Sequence, residues 1–317
     1  MIADRAALVA HARDSIARGS KSFALASKLF DPVTRERAWL LYAWCRACDD
    51  LADGQDHGGA MSVVADAQVR LSTIRILTDA ALKGEYTGNP AFDGFKVVAA
   101  ECHIPHAFAH DLIEGFALDA QDWRPRTQDD LLQYCYHVAG AVGLMMAVVM
   151  GVDPHDEATL DRACDLGLAF QLANIARDVG EDDAAGRCYL PQDWLTEMDI
   201  PPGEMMKPWV RPRLAVLGNR LATMAAGYES SARHGTGALP YRSAWAVLAA
   251  AGIYGDIARA VARRGETAWD GRVITSKRDK LGWVAKAALQ ARGRDRKWPA
   301  DTLRVGLWTR PGRGQPA

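Results

Sequence analysis

Apolar residues recur along this chain with a period near 3.6, segment after segment, and that repeat leaves room for little except helices. Alternating β-branched runs, the mark of strands, are scarce. The pattern predicts helices over residues 4–18, 32–53, 61–83, 91–102, 105–120, 127–150, 156–184, 212–234, 240–265 and 279–291. Asp31-Pro32 supplies a cap and a first-turn proline, and Gly54 supplies a stop. Gly84 to Pro90 carries turn chemistry. Pro191, Pro201, Pro202 and Pro208 mark an irregular connection from 185 to 211. No repeat or long linker divides the chain, so one all-α domain is expected over residues 1–290.

Of the 317 residues, 49% are hydrophobic, enough to bury a sizeable core. A formal net charge of −1 argues against a nucleic-acid partner. The six cysteines form no zinc-type CxxC…CxxC pattern, and Cys45 and Cys48 read as buried thiols on an apolar helix. Residues 1–18 lack the apolar core of a signal peptide. The longest apolar stretch, 139–152, is too short to span a bilayer and reads as a core helix. A cytoplasmic location is therefore expected. Residues 291–317 change character, with seven Lys or Arg against Asp295 and Asp301, and with Trp298 and Trp308. This basic tail is expected to be a poorly ordered, solvated terminus. The functional alternative is contact with anionic lipid headgroups.

Two helical faces carry the chemistry. In the first, Tyr42, Arg46, Asp49 and Asp53 share one stripe, with Asp50 beside it. Like charges at i,i+4 near a helix C-terminus oppose both each other and the macrodipole. A bound dication would offset that penalty. In the second, Gln171, Asn174, Asp178 and Asp182 fall at i, i+3, i+7 and i+11, a face made only of oxygen donors. Carboxylate and amide oxygens suit Mg²⁺, with Mn²⁺ as a substitute, and the absence of sulfur and imidazole argues against zinc. Each face alone is an ordinary solvated surface. Together they suggest two helices facing across a cavity and gripping a diphosphate through metal ions. Arg46 and Arg177 are placed to meet phosphate oxygens. The competing reading of Arg177 is an ion pair with Glu181. No Gly-rich nucleotide loop is present.

These residues resemble the squalene/phytoene synthase family of head-to-head prenyl transferases, its bacterial phytoene-forming branch above all. The resemblance runs through Gly19-Ser20-Lys21-Ser22-Phe23, Tyr42 to Asp53, Tyr134 to Gly143, Gln171 to Asp182 and Arg187-Cys188-Tyr189-Leu190-Pro191. It covers residues 12 to 285, more weakly around Tyr254 and Arg272. It implies an isoprenoid-synthase helical bundle around one central cavity. It implies Asp49, Asp53, Asn174, Asp178 and Asp182 as metal ligands, with Asp50 also in the catalytic group. It implies Ser20, Lys21, Ser22, Tyr42, Arg46, Gln171, Asn174, Arg177, Tyr254 and Arg272 as substrate contacts, Arg272 only after a one-residue shift in spacing.

The activity implied is condensation of two geranylgeranyl diphosphates to phytoene through a cyclopropyl diphosphate, the first committed step of carotenoid synthesis. Tyr42 and Tyr254 are candidates for proton transfer or for stabilising cations through their rings. A C30 relative acting on farnesyl diphosphate is the alternative. A non-catalytic scaffold need not keep both acidic faces. Peripheral contact with the cytoplasmic membrane, and with other enzymes of the carotenoid pathway, is expected from an oily product. Small residues, among them Gly140, Gly143, Ala24, Ala26, Ser27 and the run 246–252, would leave room for a deep tunnel; close helix packing is the plainer reading. A bulky Phe in place of Ser27 is expected to shorten that tunnel.

Overall fold

Helix signals in the sequence translate directly into helix ends in the computed structural model, which describes residues 4–54 and 67–313. Helix α1 spans Arg5–Gly19, α2 Lys21–Ser27 and α3 Pro32–Asp53. At the start of α3, the Asp31 carboxylate accepts hydrogen bonds from the amides of Val33 (3.0 Å) and Thr34 (3.1 Å). Its end is set by Gly54, whose φ of 64° a side chain would resist. Helices α4 (Ala67–Leu82), α5 (Pro90–Cys102) and α6 (His106–Asp119) follow. The expected helix over 61–83 is present from Ala67; its first residues lie outside the described ones.

The segment expected as one helix over 127–150 is three pieces. Helix α7 (Gln128–Cys135), opened by a Thr127/Asp130 capping box, passes into a π-helical turn at Tyr136–Gly140 and then into α8 (Ala141–Val149). The wider π turn shifts the register, so that Tyr134, Val138, Val142, Met146 and Met150 all reach one internal cavity. Helix α9 (Glu157–Ala184) is the longest and most central, packing against α7, α8, α11 and α12. The remaining helices are α10 (Gln192–Glu197), α11 (Arg211–Arg233), α12 (Tyr241–Arg264), α13 (Lys277–Arg292) and the single turn α14 (Arg294–Lys297). Among the described residues there is no strand. Helices α2, α10 and α14 were not predicted; all are too short to show a 3.6-residue period.

Burial follows the apolar stripes. On α3, Trp44 is fully buried and stacks on Phe95 of α5 at 3.9 Å between ring centroids, and each such ring contributes roughly 2–3 kcal/mol by leaving water. Glycines let α8 and the π turn approach α9: a Cβ on Gly143 would lie 2.5 Å from the Ala163 carbonyl oxygen, and one on Gly140 3.0 Å from Cys164 Sγ. Close packing is thus the main reason for both glycines, and Gly143 also borders the cavity. Among the described residues, two continuous helical runs, Gln128–Val149 and Tyr241–Thr267, are long and apolar enough to cross a membrane by length and composition. Their apolar windows are 67% and 56% buried inside the bundle, where they wall the cavity.

The tail departs from expectation. Arg304 makes a two-pronged pair with Asp165 of α9 (2.7 and 2.9 Å), Arg310 is buried against Asp161 (3.1 Å) and Glu157, and Trp308 packs beside the Tyr136 ring. Residues up to Arg313 are therefore seated on the bundle. Arg304, Arg310 and Arg313, which look solvated in the sequence, meet acids on α9 more than 130 residues upstream.

Candidate active site

A large cavity of about 1200 Å³ runs through the bundle, and α9 forms one wall along its whole length. From Thr159 through Arg162, Leu166, Phe170, Asn174 and Asp178 to Asp182, the lining residues step by three or four, one face of one helix. The opposite wall includes Ser20, Phe23 and Ala26 from the α2 region, and Leu41, Tyr42, Cys45, Arg46 and Asp49 from α3. Polar groups gather at one end: Ser20, Arg46, Asp49, Asp119, Gln171, Asn174, Asp178, Asp182, Arg187 and Tyr254. Below them the walls are aliphatic and aromatic, including Leu71, Leu112, Phe116, Val138, Met146, Val247 and Ile253.

Of the residues singled out in the sequence, Ser20, Tyr42, Arg46, Asp49, Gln171, Asn174, Asp178, Asp182 and Tyr254 all line this one cavity. The two acidic stripes thus face a common space. Asp50 lies off the lining and accepts hydrogen bonds from Arg46 Nε (3.0 Å) and Nη2 (2.9 Å). One residue beyond Asp49 is about 100° around the helix, enough to turn it from the cavity. Arg177 is also off the lining. It pairs with Asp178, Nε to Oδ1 at 2.7 Å, and not with Glu181. Glu181 pairs instead with Arg272, which also approaches Asp178 at 3.3 Å, so the least secure placement by spacing does reach the second acidic stripe. The side chains of Lys21, Ser22 and Asp53 lie outside the described residues.

Ser27 does not face the cavity. It is fully buried, its hydroxyl donating to the Ala24 carbonyl (3.0 Å) and accepting from the Trp39 indole (2.9 Å), while Ala26 takes the lining position. In the run 246–252, Ala246, Val247 and Ala250 face the cavity, whereas Gly252 makes room for the Trp283 ring.

Electrostatics at the mouth are dominated by crowded acids. Burial, the Asp178 carboxylate and further acids push Asp182 up to about 7, although Arg187 pulls it down. Burial raises the Tyr42 hydroxyl to about 12 and raises Tyr254 as well. Both phenols stay protonated, as hydrogen-bond donors with an available ring face. Tyr254 is stacked on Phe170 at 4.2 Å, and Gly19 is required because a Cβ there would collide with the Tyr42 hydroxyl. Cys45 is pushed up to about 12 by burial, in keeping with an unreactive thiol.

Sequence reasoning missed Asp119. At the end of α6 it lines the cavity and accepts hydrogen bonds from the Tyr134 (3.1 Å) and Tyr189 (3.1 Å) hydroxyls, whose rings stack at 4.9 Å. No helical stripe of acids announces it; only the packing of α6, α7 and the segment after α9 brings the three together.

Among the described residues, no three His, Cys, Asp or Glu side chains converge into a self-sufficient metal cage. The donors present are hard oxygens on two walls. That chemistry fits Mg²⁺, which keeps waters and completes its shell with substrate phosphates.

An all-α bundle around one deep cavity, oily below and oxygen-rich at the mouth, defines the isoprenoid-synthase class. Among solved structures, a dehydrosqualene synthase in complex with a ligand matches with a TM-score of 0.81 and 27% identity, over 91% of this chain and 98% of the other. A squalene synthase from Alicyclobacillus acidocaldarius shares the fold with a TM-score of 0.72 and 24% identity, over 81% and 94%. The squalene/phytoene synthase family model matches residues 16–279, and the chain belongs to that family. A phytoene synthase of Pseudescherichia vulneris is 46% identical over 96% of this chain and 98% of its own length. A 15-cis-phytoene synthase of Pantoea ananas is 45% identical, with the same coverage.

Proposed function

We propose that this chain joins two geranylgeranyl diphosphates head to head, through a cyclopropyl diphosphate, to give phytoene and diphosphate, the first committed step of carotenoid synthesis. The observation that carries this is the meeting of Asp49 with Asp178 and Asp182 at the mouth of one oily cavity. The 46% identity to phytoene synthases over nearly the whole chain supports the C20 substrate.

Mg²⁺, or Mn²⁺ in its place, would be held by Asp49 on one wall and Asn174, Asp178 and Asp182 on the other, with Asp53 as the further ligand that the sequence resemblance implies. Its contribution is Lewis-acid stabilisation of the charge that builds on a departing diphosphate. The protein does the rest. Arg46 and Arg272 exchange their carboxylate partners for phosphate oxygens and orient the leaving group. The aliphatic walls hold two prenyl chains side by side and keep water from the allylic cation, which attacks the double bond of the second chain. The ring faces of Tyr42 and Tyr254 stabilise positive charge above that wall. Released diphosphate or a tyrosine hydroxyl relays the final proton.

The cytoplasm, with peripheral membrane contact, is the proposed setting. Leu281 and Leu289 stand 62% and 70% exposed on α13, beside Lys277, Arg278 and Lys286, a mixture suited to an anionic bilayer surface. Such contact would let an oily product pass to a following enzyme. The decisive experiment is incubation of the purified protein with C15 and C20 diphosphates and Mg²⁺, with and without NADPH, followed by extraction. A C40 triene-centred hydrocarbon from the C20 substrate is expected without NADPH. A C30 product, or none, rejects the assignment.

A further inference from the structure

A charge at the oily end of a cavity is unfavourable unless it is firmly partnered. Arg162 is such a charge. It stands on α9 at the deep end of the lining, beside Thr159, Gly235 and Leu239, while the other charged residues of the described lining belong to the mouth. Its guanidinium donates to the Ser231 hydroxyl at 2.5 Å and to the backbone carbonyl of Thr302 in the tail. Ser231 in turn donates to Asp165, which Arg304 grips from the tail at 2.7 and 2.9 Å. Gly235 closes in from the side: a Cβ there would lie 2.6 Å from Arg162 Cβ.

We propose that Arg162, pinned by Ser231 and by the tail carbonyl of Thr302, is the floor that limits the length of prenyl chain this cavity accepts. The inference rests on the prenyl diphosphate reading given above. Along α9, Asp178 and Arg162 are separated by about 24 Å at ~1.5 Å per residue. At ~1.3 Å of advance per carbon–carbon bond of ~1.5 Å, an extended C20 chain reaches about 19 Å and a C25 chain about 24 Å. With the diphosphate at the level of Asp178, a C20 chain clears the floor and a C25 chain strikes it. The tail is thereby part of the specificity apparatus, although it lies outside the matched family region of residues 16–279.

The test uses the full-length protein and two full-length variants, Arg162→Ala and Ser231→Ala, the second of which removes one of the pins. Calorimetry with unreactive C20 and C25 thiolodiphosphates in Mg²⁺ measures the affinity ratio, and product analysis with the C25 diphosphate measures use. Opening a pocket end by a few methylenes changes discrimination by about tenfold or more, so the C25-to-C20 ratio should rise by at least that factor in both variants. Arg162→Ala leaves Asp165 its Arg304 partner and is expected to fold, as its melting profile will report. If it does not, Arg162→Val, which also shortens the side chain, replaces it. An unchanged ratio in a folded Arg162 variant overturns the proposal. Failure of the parent protein to bind either analogue would instead overturn the prenyl diphosphate reading.

Discussion

Replacing Asp182 by Asn should make the metal-free protein more stable and, at the same time, inactive. Burial and Asp178 move the Asp182 carboxyl from 3.8 to about 7, so the ionised form carries ~4 kcal/mol of unfavourable interaction in the folded state. Solvent at its partly exposed edge trims the measurable effect to ~2–4 kcal/mol. The direction follows from proton binding. Below about pH 4 the group is protonated whether the chain is folded or not, and the substitution changes little. Between about pH 4 and 7 the folded state keeps a proton that the unfolded chain releases, so stability falls as pH rises. Above about pH 7 the full penalty is present, and the uncharged amide of the variant escapes it. For a chain of 317 residues ~2–4 kcal/mol corresponds to about 3–6 °C in Tm. Thermal unfolding in chelator at about pH 3.5 and about pH 8, on either side of that window, measures this directly. The Asp182→Asn variant should melt higher than the parent at the alkaline value and nearly level with it at the acidic one. Mg²⁺ with inorganic diphosphate should then stabilise the parent far more than the variant. An equal difference at the two pH values, or no gain at the higher one, would refute the picture of a crowded acidic face relieved by dications.

Three further outcomes are expected. Asp178→Asn should lower turnover by ~10³-fold or more, because it removes charge that holds the ions stabilising the leaving group, while circular dichroism stays unchanged. Ala26→Phe should shift preference from C20 toward C15 diphosphates by about tenfold or more in competition assays, because Ala26 lines the cavity; full retention of C20 preference would remove α2 from the wall. Gly143→Ala should destabilise by ~1–3 kcal/mol despite the better helix propensity of Ala, because the new methyl meets the Ala163 carbonyl and backbone cannot step aside; denaturant titration reads this, and a neutral or stabilising result would contradict it.

Helix positions were legible because periodicity and caps are local. Asp31, Pro32 and Gly54 mark both ends of α3, and the stripe ending in Asp182 can be drawn on α9 without any neighbour. The acidic faces were legible for the same reason, since residues spaced by three, four or seven share a side wherever the helix packs. What was not legible depends on packing. The stripe sets Asp50 beside Asp49 without saying what Asp50 does; Arg46 bridges both carboxylates, and only Asp49 lines the cavity. Ser27 and Ala26 exchanged places because α2, only seven residues long, shows no period that fixes its face. Asp119 acquired its tyrosine partners from two other segments. The tail looked solvated because Asp161 and Asp165, which hold Arg310 and Arg304, appear in the sequence as ordinary residues of a distant helix.

The central claim is that two oxygen-bearing walls share one set of dications around a diphosphate at the cavity mouth. Crystals grown with Mn²⁺ and an unreactive geranylgeranyl thiolodiphosphate test it most directly, through the anomalous signal of the metal. Mn²⁺ is expected between the diphosphate and the carboxylates of Asp49 on one side and Asp178 and Asp182 on the other, with the prenyl chain running down toward Arg162. Manganese bound at one wall only, or a diphosphate lying away from both, would contradict it.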